Sequence, residues 1–155
     1  LGLACDYCIA KESVVLNPHY QTIGLTGSEY HTYSLPKKVG LKKSKELLNN
    51  CLPLSANMAK EINMIDEVYS SQTYINDLEN FCEDLVKDEE SYENFIDEKK
   101  DRLYDDEEKV QECKEKELSI MYDEFWNKSS SFQTLRKNFV NKTKISSTPK
   151  RLKEK

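Results

Sequence analysis

The sequence predicts an α+β fold that is mostly helical, and three observations support this prediction. Short apolar runs with β-branched residues are confined to the first 69 residues, whereas the chain after Ser70 has the spacing of amphipathic helices. Of 155 residues, 37% are hydrophobic and 33% are charged, a balance that suits a mostly helical protein. Four glycines and four prolines are few for a β-rich chain.

Two short buried strands are expected first, over residues 1–10 and 13–16, as neighbours separated by Lys11 and Glu12. Residues 17–40 then lose all periodicity. They hold three of the four glycines, which predicts a long shaped loop. Loops that carry most of a chain's special backbone positions are often functional.

An amphipathic helix over residues 41–51 is predicted by residues at helical spacing, namely Leu41, Ser44, Leu47, Leu48 and Cys51. Pro53 is expected to end it. Ser55 is a suitable N-cap for a short helix through residue 62, and Asn63 can take the left-handed conformation that closes such a helix. Residues 64–69 are predicted to form the last strand.

Three apolar stripes, over residues 75–85, 92–103 and 110–125, predict three further helices, and a last helix is expected around residues 132–140. Each has one apolar face that must pack on something, so these C-terminal helices are candidates for self-association. The predicted division is a first part over 1–69, a helical extension over 70–141 and a poorly ordered basic tail over 142–155.

Charge is unevenly distributed. From Lys128 onward the chain has nine basic residues and one acidic residue, Glu154, so the net charge of −5 leaves −13 for the rest. Such an acidic body argues against nucleic acid as a partner. Without an apolar run of about 20 residues or a signal leader, no membrane association is expected either.

Five cysteines form an odd set without the spacing of a disulfide framework, which favours reduced thiols and a cytoplasmic location. Cys5 and Cys8 have C-x-x-C spacing. However, no second pair and no suitably spaced histidine completes a zinc site, so no metal is expected.

Residues 17–33 concentrate the side chains that could perform chemistry: both histidines, three tyrosines and one glutamate. The glycines of this loop allow a ligand to approach the backbone closely. A glutamate can act as a general acid or base if burial raises its pKa, and tyrosine hydroxyls can donate to a carbonyl oxygen. Composition alone favours equally a surface loop with half-packed tyrosines.

The order of motifs along residues 1–69 resembles the crotonase superfamily. The resemblance is carried by Cys5-Asp6, Pro18, Gly27, Leu35-Pro36-Lys37-Lys38-Val39-Gly40, Ser55-Ala56 and Ile65-Asp66-Glu67-Val68. It implies the C-terminal half of a β-β-α spiral fold that binds coenzyme A thioesters and stabilises an oxyanion with backbone N–H groups. The fold by itself does not fix the reaction.

Within the superfamily, residues 16–20 (Leu-Asn-Pro-His-Tyr) and 27–33 (Gly-Ser-Glu-Tyr-His-Thr-Tyr) are similar to the hydrogenase-maturation family HypX, also called HoxX. The similarity extends to Glu117-Leu118 and to residues 136–142. It implies release of carbon monoxide from formyl-CoA for nickel–iron hydrogenase. Hydrogenase-maturation proteins become candidate partners, and tetrahydrofolate would act only through an N-terminal domain outside this chain.

This resemblance implies a catalytic group of Glu29, Tyr30, His19 and Tyr20 over an acyl-CoA substrate, with Gly27 and Ser28 at the coenzyme A thioester. His19 stands where hydratases place a catalytic glutamate, so water addition by paired glutamates is not expected. The second hydratase glutamate and the oxyanion-hole segments would precede Leu1, so a complete active site is not expected within this chain.

Two alternatives stay open. An enoyl-CoA isomerase would also place a single glutamate in this glycine loop, next to the position of Glu29. A non-catalytic helical fragment that only supports assembly is the other alternative, because C-terminal helices of this superfamily cover active sites or build trimers.

Overall fold

The computed structural model describes residues 2–144. Its strands are β1 (Ile9–Lys11), β2 (Val15–Leu16), β3 (Leu54–Ser55) and β4 (Glu67–Tyr69). Its α-helices are α1 (His31–Val39), α2 (Leu41–Asn50), α3 (Ala56–Glu61), α4 (Tyr74–Val86), α5 (Glu89–Trp126) and α6 (Ser131–Val140), and short 3-10 helices occur at Gly2–Ala4 and Tyr20–Ile23. The prediction of a mostly helical α+β fold is confirmed.

The strands form two short pairs. β1 lies parallel to β4, with Ile9 opposite Glu67, and β2 lies antiparallel to β3, with Val15 opposite Ser55. The first strand is therefore shorter than the expected residues 1–10, and the first two strands do not pair with each other. The backbone before β1 turns instead, with the Cys5 N–H donating to the Gly2 carbonyl at 3.2 Å, and β4 offers only three residues for pairing.

The predicted helices over residues 41–51 and 56–62 are confirmed as α2 and α3. α2 ends one residue earlier than expected because Cys51 takes a left-handed conformation, φ 50°. The Ser55 hydroxyl accepts a hydrogen bond from the Met58 N–H at 3.2 Å, as an N-cap does. Asn63 has φ 57°, the left-handed conformation predicted for it.

The core lies where α1, α2 and α3 cover the strands. Its buried apolar residues are Leu35, Leu47, Leu54, Ala56, Ala59, Met64 and Ile65. An ion pair at its edge joins Lys38 of α1 to Asp66, whose carboxylate also accepts the Cys8 N–H at 2.7 Å. These contacts fix α1, and with it the loop that precedes α1, against the strands.

The long loop predicted over residues 17–40 is half wrong, because its second part is helix α1. Periodicity failed here since α1 has only nine residues and contains Pro36. The helix begins after Tyr30, whose φ of 57° turns the chain sharply out of the glycine-containing loop.

The second and third predicted C-terminal helices are one helix, α5, of 38 residues and about 57 Å. Residues 89–126 contain neither glycine nor proline, so nothing interrupts the backbone hydrogen bonds where the apolar stripe changes direction. The last predicted helix is confirmed as α6. Within residues 2–144, no helix is long and apolar enough to span a membrane.

Large apolar side chains on α5 and α6 remain exposed, among them Leu118, Tyr122, Phe125, Trp126 and Phe139. Self-association through these helices stays a prediction. Most of the predicted basic tail, residues 145–155, lies outside the described residues.

Candidate active site

The loop between the 3-10 helix Tyr20–Ile23 and α1 gathers most of the predicted site residues around Gly27. Gly27 is buried, with φ 93°. A Cβ atom added there would lie 3.1 Å from His31 Cε1, 3.2 Å from Glu29 Oε2 and 3.3 Å from Tyr20 Cδ2. The glycine therefore sits at the centre of three polar side chains, and only the absence of a side chain allows them to approach.

Tyr20 and Glu29 form the chemical centre of this cluster. Burial, and then hydrogen bonding to Glu29, raises the pKa of Tyr20 to about 12. Burial acts to raise the pKa of Glu29 as well, but hydrogen bonds from the Tyr20 hydroxyl and the Ser28 N–H outweigh it and lower that pKa below its usual value. At neutral pH the site holds a carboxylate beside a neutral hydroxyl.

This charge state corrects the condition set for Glu29 from the sequence, which was that burial would raise its pKa. The Glu29 side chain is exposed, and its Oε2 atom accepts the Ser28 N–H at 3.1 Å. Glu29 can therefore accept a proton from a ligand, and the single O–H of Tyr20, which donates to ionised Glu29, can turn to the ligand once Glu29 is protonated.

The two histidines flank this pair as aromatic neighbours. The Tyr20 ring stacks on His31 with a centroid distance of 5.7 Å and on His19 with 6.4 Å. His19 is exposed, and its Nδ1 lies 3.0 Å from the Asn17 carbonyl oxygen. The structure thus places His19 beside Tyr20, and it brings His31, which was not among the predicted catalytic residues, into contact range of Gly27.

Tyr30 is not part of this cluster. Its backbone caps α1, whereas its side chain lines an open groove formed mainly by α5 residues from Leu103 to Glu115. Tyr20 and Glu29 do not line that groove. Four of the six predicted site residues therefore lie together in the structure, namely Tyr20, Gly27, Ser28 and Glu29. His19 stacks on Tyr20, whereas the Tyr30 side chain lies in the groove along α5.

Two carboxylates of α5 hold the loop in place, and the sequence analysis missed both as site residues. Glu117, with 1% of its side chain exposed, accepts the Tyr30 N–H and the Thr32 N–H at 2.8 Å each and the Thr32 hydroxyl at 2.5 Å. Glu124 accepts the Thr26 N–H at 2.9 Å and the Thr26 hydroxyl at 2.6 Å.

The free N–H groups at the start of a helix attract a carboxylate, and Glu117 supplies one from another helix. Only the similarity around Glu117-Leu118 could have singled Glu117 out from the many acidic residues of α5. The acidic side chains of α5 are therefore not all directed to solvent, because Glu117 and Glu124 bind the loop.

No group of three or more histidine, cysteine, aspartate or glutamate side chains in residues 2–144 is placed to hold a metal ion. Cys5 and Cys8 are free thiols in the described structure, and burial raises the pKa of the Cys8 thiol.

Comparisons with known proteins place these features in a family. The family profile for enoyl-CoA hydratase/isomerase matches residues 1–148. The hydrogenase maturation factor HoxX of Bradyrhizobium diazoefficiens is 30% identical over 152 residues, which are 96% of this chain and 27% of that protein.

Solved structures agree. HypX from Aquifex aeolicus, in complex with tetrahydrofolic acid, matches 97% of this chain and 27% of its own chain with a TM-score of 0.84 and 38% identity. An enoyl-CoA hydratase/isomerase from Pseudoalteromonas atlantica matches 94% of this chain and 57% of its own, with a TM-score of 0.77 and 18% identity, which supports the fold alone. The chain spans about a quarter of the length of the HypX and HoxX proteins that it matches.

Proposed function

Because the chain belongs to the enoyl-CoA hydratase/isomerase family, we propose that the cluster around Gly27 takes the acyl end of a coenzyme A thioester. More specifically, we propose that this thioester is formyl-CoA and that the product is carbon monoxide. The similarity to HoxX and HypX over nearly the whole chain favours this substrate over a longer acyl group.

One observation carries the proposal: Glu29 Oε2 and the Tyr20 ring both lie beside Gly27, so that a carboxylate and a phenol face the same glycine, which keeps the backbone open. Release of carbon monoxide from a formyl thioester requires a base for the formyl proton and a donor for the departing sulfur. A carboxylate and a neutral phenol supply both roles.

In the proposed reaction, Glu29 removes the formyl proton while the carbon–sulfur bond breaks. The electron pair of the carbon–hydrogen bond stays on carbon as the lone pair of carbon monoxide. The electron pair of the carbon–sulfur bond leaves with sulfur, and the proton ends on the thiolate, which gives free coenzyme A. As Glu29 takes up the formyl proton, the single O–H of Tyr20 turns from Glu29 to the thioester group, where negative charge develops.

The proposal predicts that Glu29→Gln lowers carbon monoxide release by about 10²- to 10⁴-fold, the usual contribution of a positioned acid–base group. Coenzyme A affinity should change less than about twofold, because the substitution keeps the size of the side chain. The assay supplies formyl-CoA to the protein in its full gene-encoded length and measures carbon monoxide. Glu61→Gln is the matched control, since Glu61 is exposed on α3. Release by Glu29→Gln within twofold of the parent would remove Glu29 from the reaction.

An isomerase is the second candidate function. The lone ionised carboxylate in a glycine loop also suits the movement of a proton between two carbons of an enoyl-CoA, as one base can serve both positions. An enoyl-CoA isomerase/hydratase of Mycosarcoma maydis is 30% identical over 89 residues. Double-bond migration in a 3-enoyl-CoA, without carbon monoxide from formyl-CoA, would favour this function.

A further inference from the structure

We propose that Glu117 and Glu124 of α5 are positioning residues for the candidate site, and that they set the placement of Glu29 by holding the loop on both sides of it. The inference rests on the proposed function only for its catalytic consequence, because the hold itself is a matter of hydrogen bonds. It assigns α5 a role in the chemistry of the first part of the chain.

The two carboxylates bind residues on either side of the segment 27–29. Glu124 binds Thr26, the residue before Gly27, through its N–H and its hydroxyl. Glu117 binds Tyr30 and Thr32, on the far side of Glu29. Between these fixed points the chain has only the three residues 27–29, so it has little freedom left.

The spacing of the two glutamates matches this task. They lie seven residues apart in one continuous helix, which places them on the same face about 10 Å from each other. A helix that is rigid over this length keeps the two flanks of the loop at a fixed separation. A pair of carboxylates on flexible segments would not do so.

Burial makes the hold strong. Glu117 is 1% exposed, with one oxygen on the Tyr30 N–H and the other on the two donors of Thr32. Its Oε1 atom also lies 3.6 Å from His31 Nδ1, which is buried and has no hydrogen-bond partner within residues 2–144. Glu117 therefore also lies next to His31, the α1 residue whose ring stacks on Tyr20.

Amide hydrogen exchange tests the hold without any substrate. Glu117→Gln keeps the shape but loses the charge, and hydrogen bonds to charged groups contribute about 1.5–3 kcal/mol, so exchange at Tyr30 and Thr32 should accelerate roughly 10- to 100-fold. Glu124→Gln should do the same at Thr26. Glu98→Gln is the matched control, because Glu98 is exposed on α5, and it should leave all three amides unchanged.

If Glu117→Gln does not fold, Thr32→Val and Thr32→Ser keep the inference testable. Valine removes the hydroxyl that donates to Glu117, whereas serine retains it, so only the serine variant should keep slow exchange at Tyr30. Unchanged exchange in Glu124→Gln and Thr32→Val would overturn the inference.

Kinetics distinguish a positioning role from a merely structural one. In Glu124→Gln, kcat should fall at least about tenfold while KM changes little, and the acid limb of the pH–rate profile should move upward. The acid limb is expected to move because the pKa of Glu29 rises when its carboxylate loses its alignment with the Tyr20 hydroxyl and the Ser28 N–H. The other charged or titratable groups near Glu29 are His31 and Glu117. If exchange accelerates in the variants but the parent protein releases no carbon monoxide, the proposed function is rejected and the positioning role of Glu117 and Glu124 is kept. If the parent is active but the variants change neither exchange nor the pH–rate profile, the positioning role is rejected.

Discussion

Gly27→Ala should destabilise the protein through crowding at the candidate site. The added methyl group would meet three side-chain atoms at 3.1–3.3 Å, closer than ordinary van der Waals contact. Overpacking of this kind typically costs about 1–3 kcal/mol, and the positive φ of Gly27 adds about 1–2 kcal/mol for any residue with a Cβ. A reduced entropy of the unfolded chain offsets about 0.4–1 kcal/mol.

Gly40→Ala separates these contributions. Gly40 also has a positive φ, 78°, but a Cβ there would meet no atom within 4 Å. Only Gly27→Ala has the crowding, whereas Gly40→Ala has a backbone cost alone, since φ 78° with ψ 158° is a conformation that is essentially restricted to glycine. Crowding should account for about 2 kcal/mol of the destabilisation by Gly27→Ala, or for roughly 4–8 °C in Tm for a chain of this size.

Thermal and urea denaturation of both variants measures this difference. The same Gly27→Ala protein should also lose activity, because the methyl group displaces Tyr20 and Glu29 from each other. A Gly27→Ala protein as stable as the parent would refute the reasoning, since it would mean that the three side chains around Gly27 move aside without cost.

Two further predictions concern the scaffold. Leu35→Ala should lower the free energy of unfolding by about 2–5 kcal/mol, because Leu35 is 3% exposed in the core. Leu41→Ala should lower it far less, because Leu41 is 61% exposed. The midpoints of urea unfolding, compared at constant slope, measure both changes. Lys37, Tyr33 and Lys109 hold the pKa of Asp106 well below its usual range, so Asp106 stabilises the fold above about pH 4 and this contribution fades as the pH falls further. Asp106→Asn should therefore lower Tm more at pH 7 than at pH 2, where part of the contribution is already lost, and an equal loss at both would contradict the ion pair's role.

Local signals predicted local structure well. Ser55 and Asn63 mark the two ends of α3 because an N-cap and a left-handed closing residue depend on their immediate neighbours. The first strand was predicted too long because strand length depends on a partner, and β4, at residues 67–69, offers only three positions. No local pattern reports the length of a distant partner.

The same reasoning applies to the candidate site. The cluster of Tyr20, Gly27 and Glu29 was visible as a concentration of polar and aromatic residues in one loop. Glu117 and Glu124 were not, because a buried carboxylate and a solvated one look identical within an acidic helix. The position of the Tyr30 side chain against α5 could not be predicted either, because Tyr30 has a left-handed backbone conformation that a tyrosine seldom adopts.

The distance along the chain between the loop and its two glutamates has a consequence for folding. Thr26 and Thr32 find their partners only 98 and 85 residues later. During synthesis the loop would therefore lack its hydrogen bonds to Glu117 and Glu124 until most of α5 has left the ribosome. By then, α1, α2 and α3 can already have packed on the strands. Contacts so far apart in sequence form late and slowly. The candidate site would therefore take its final shape only after the core beneath it has formed.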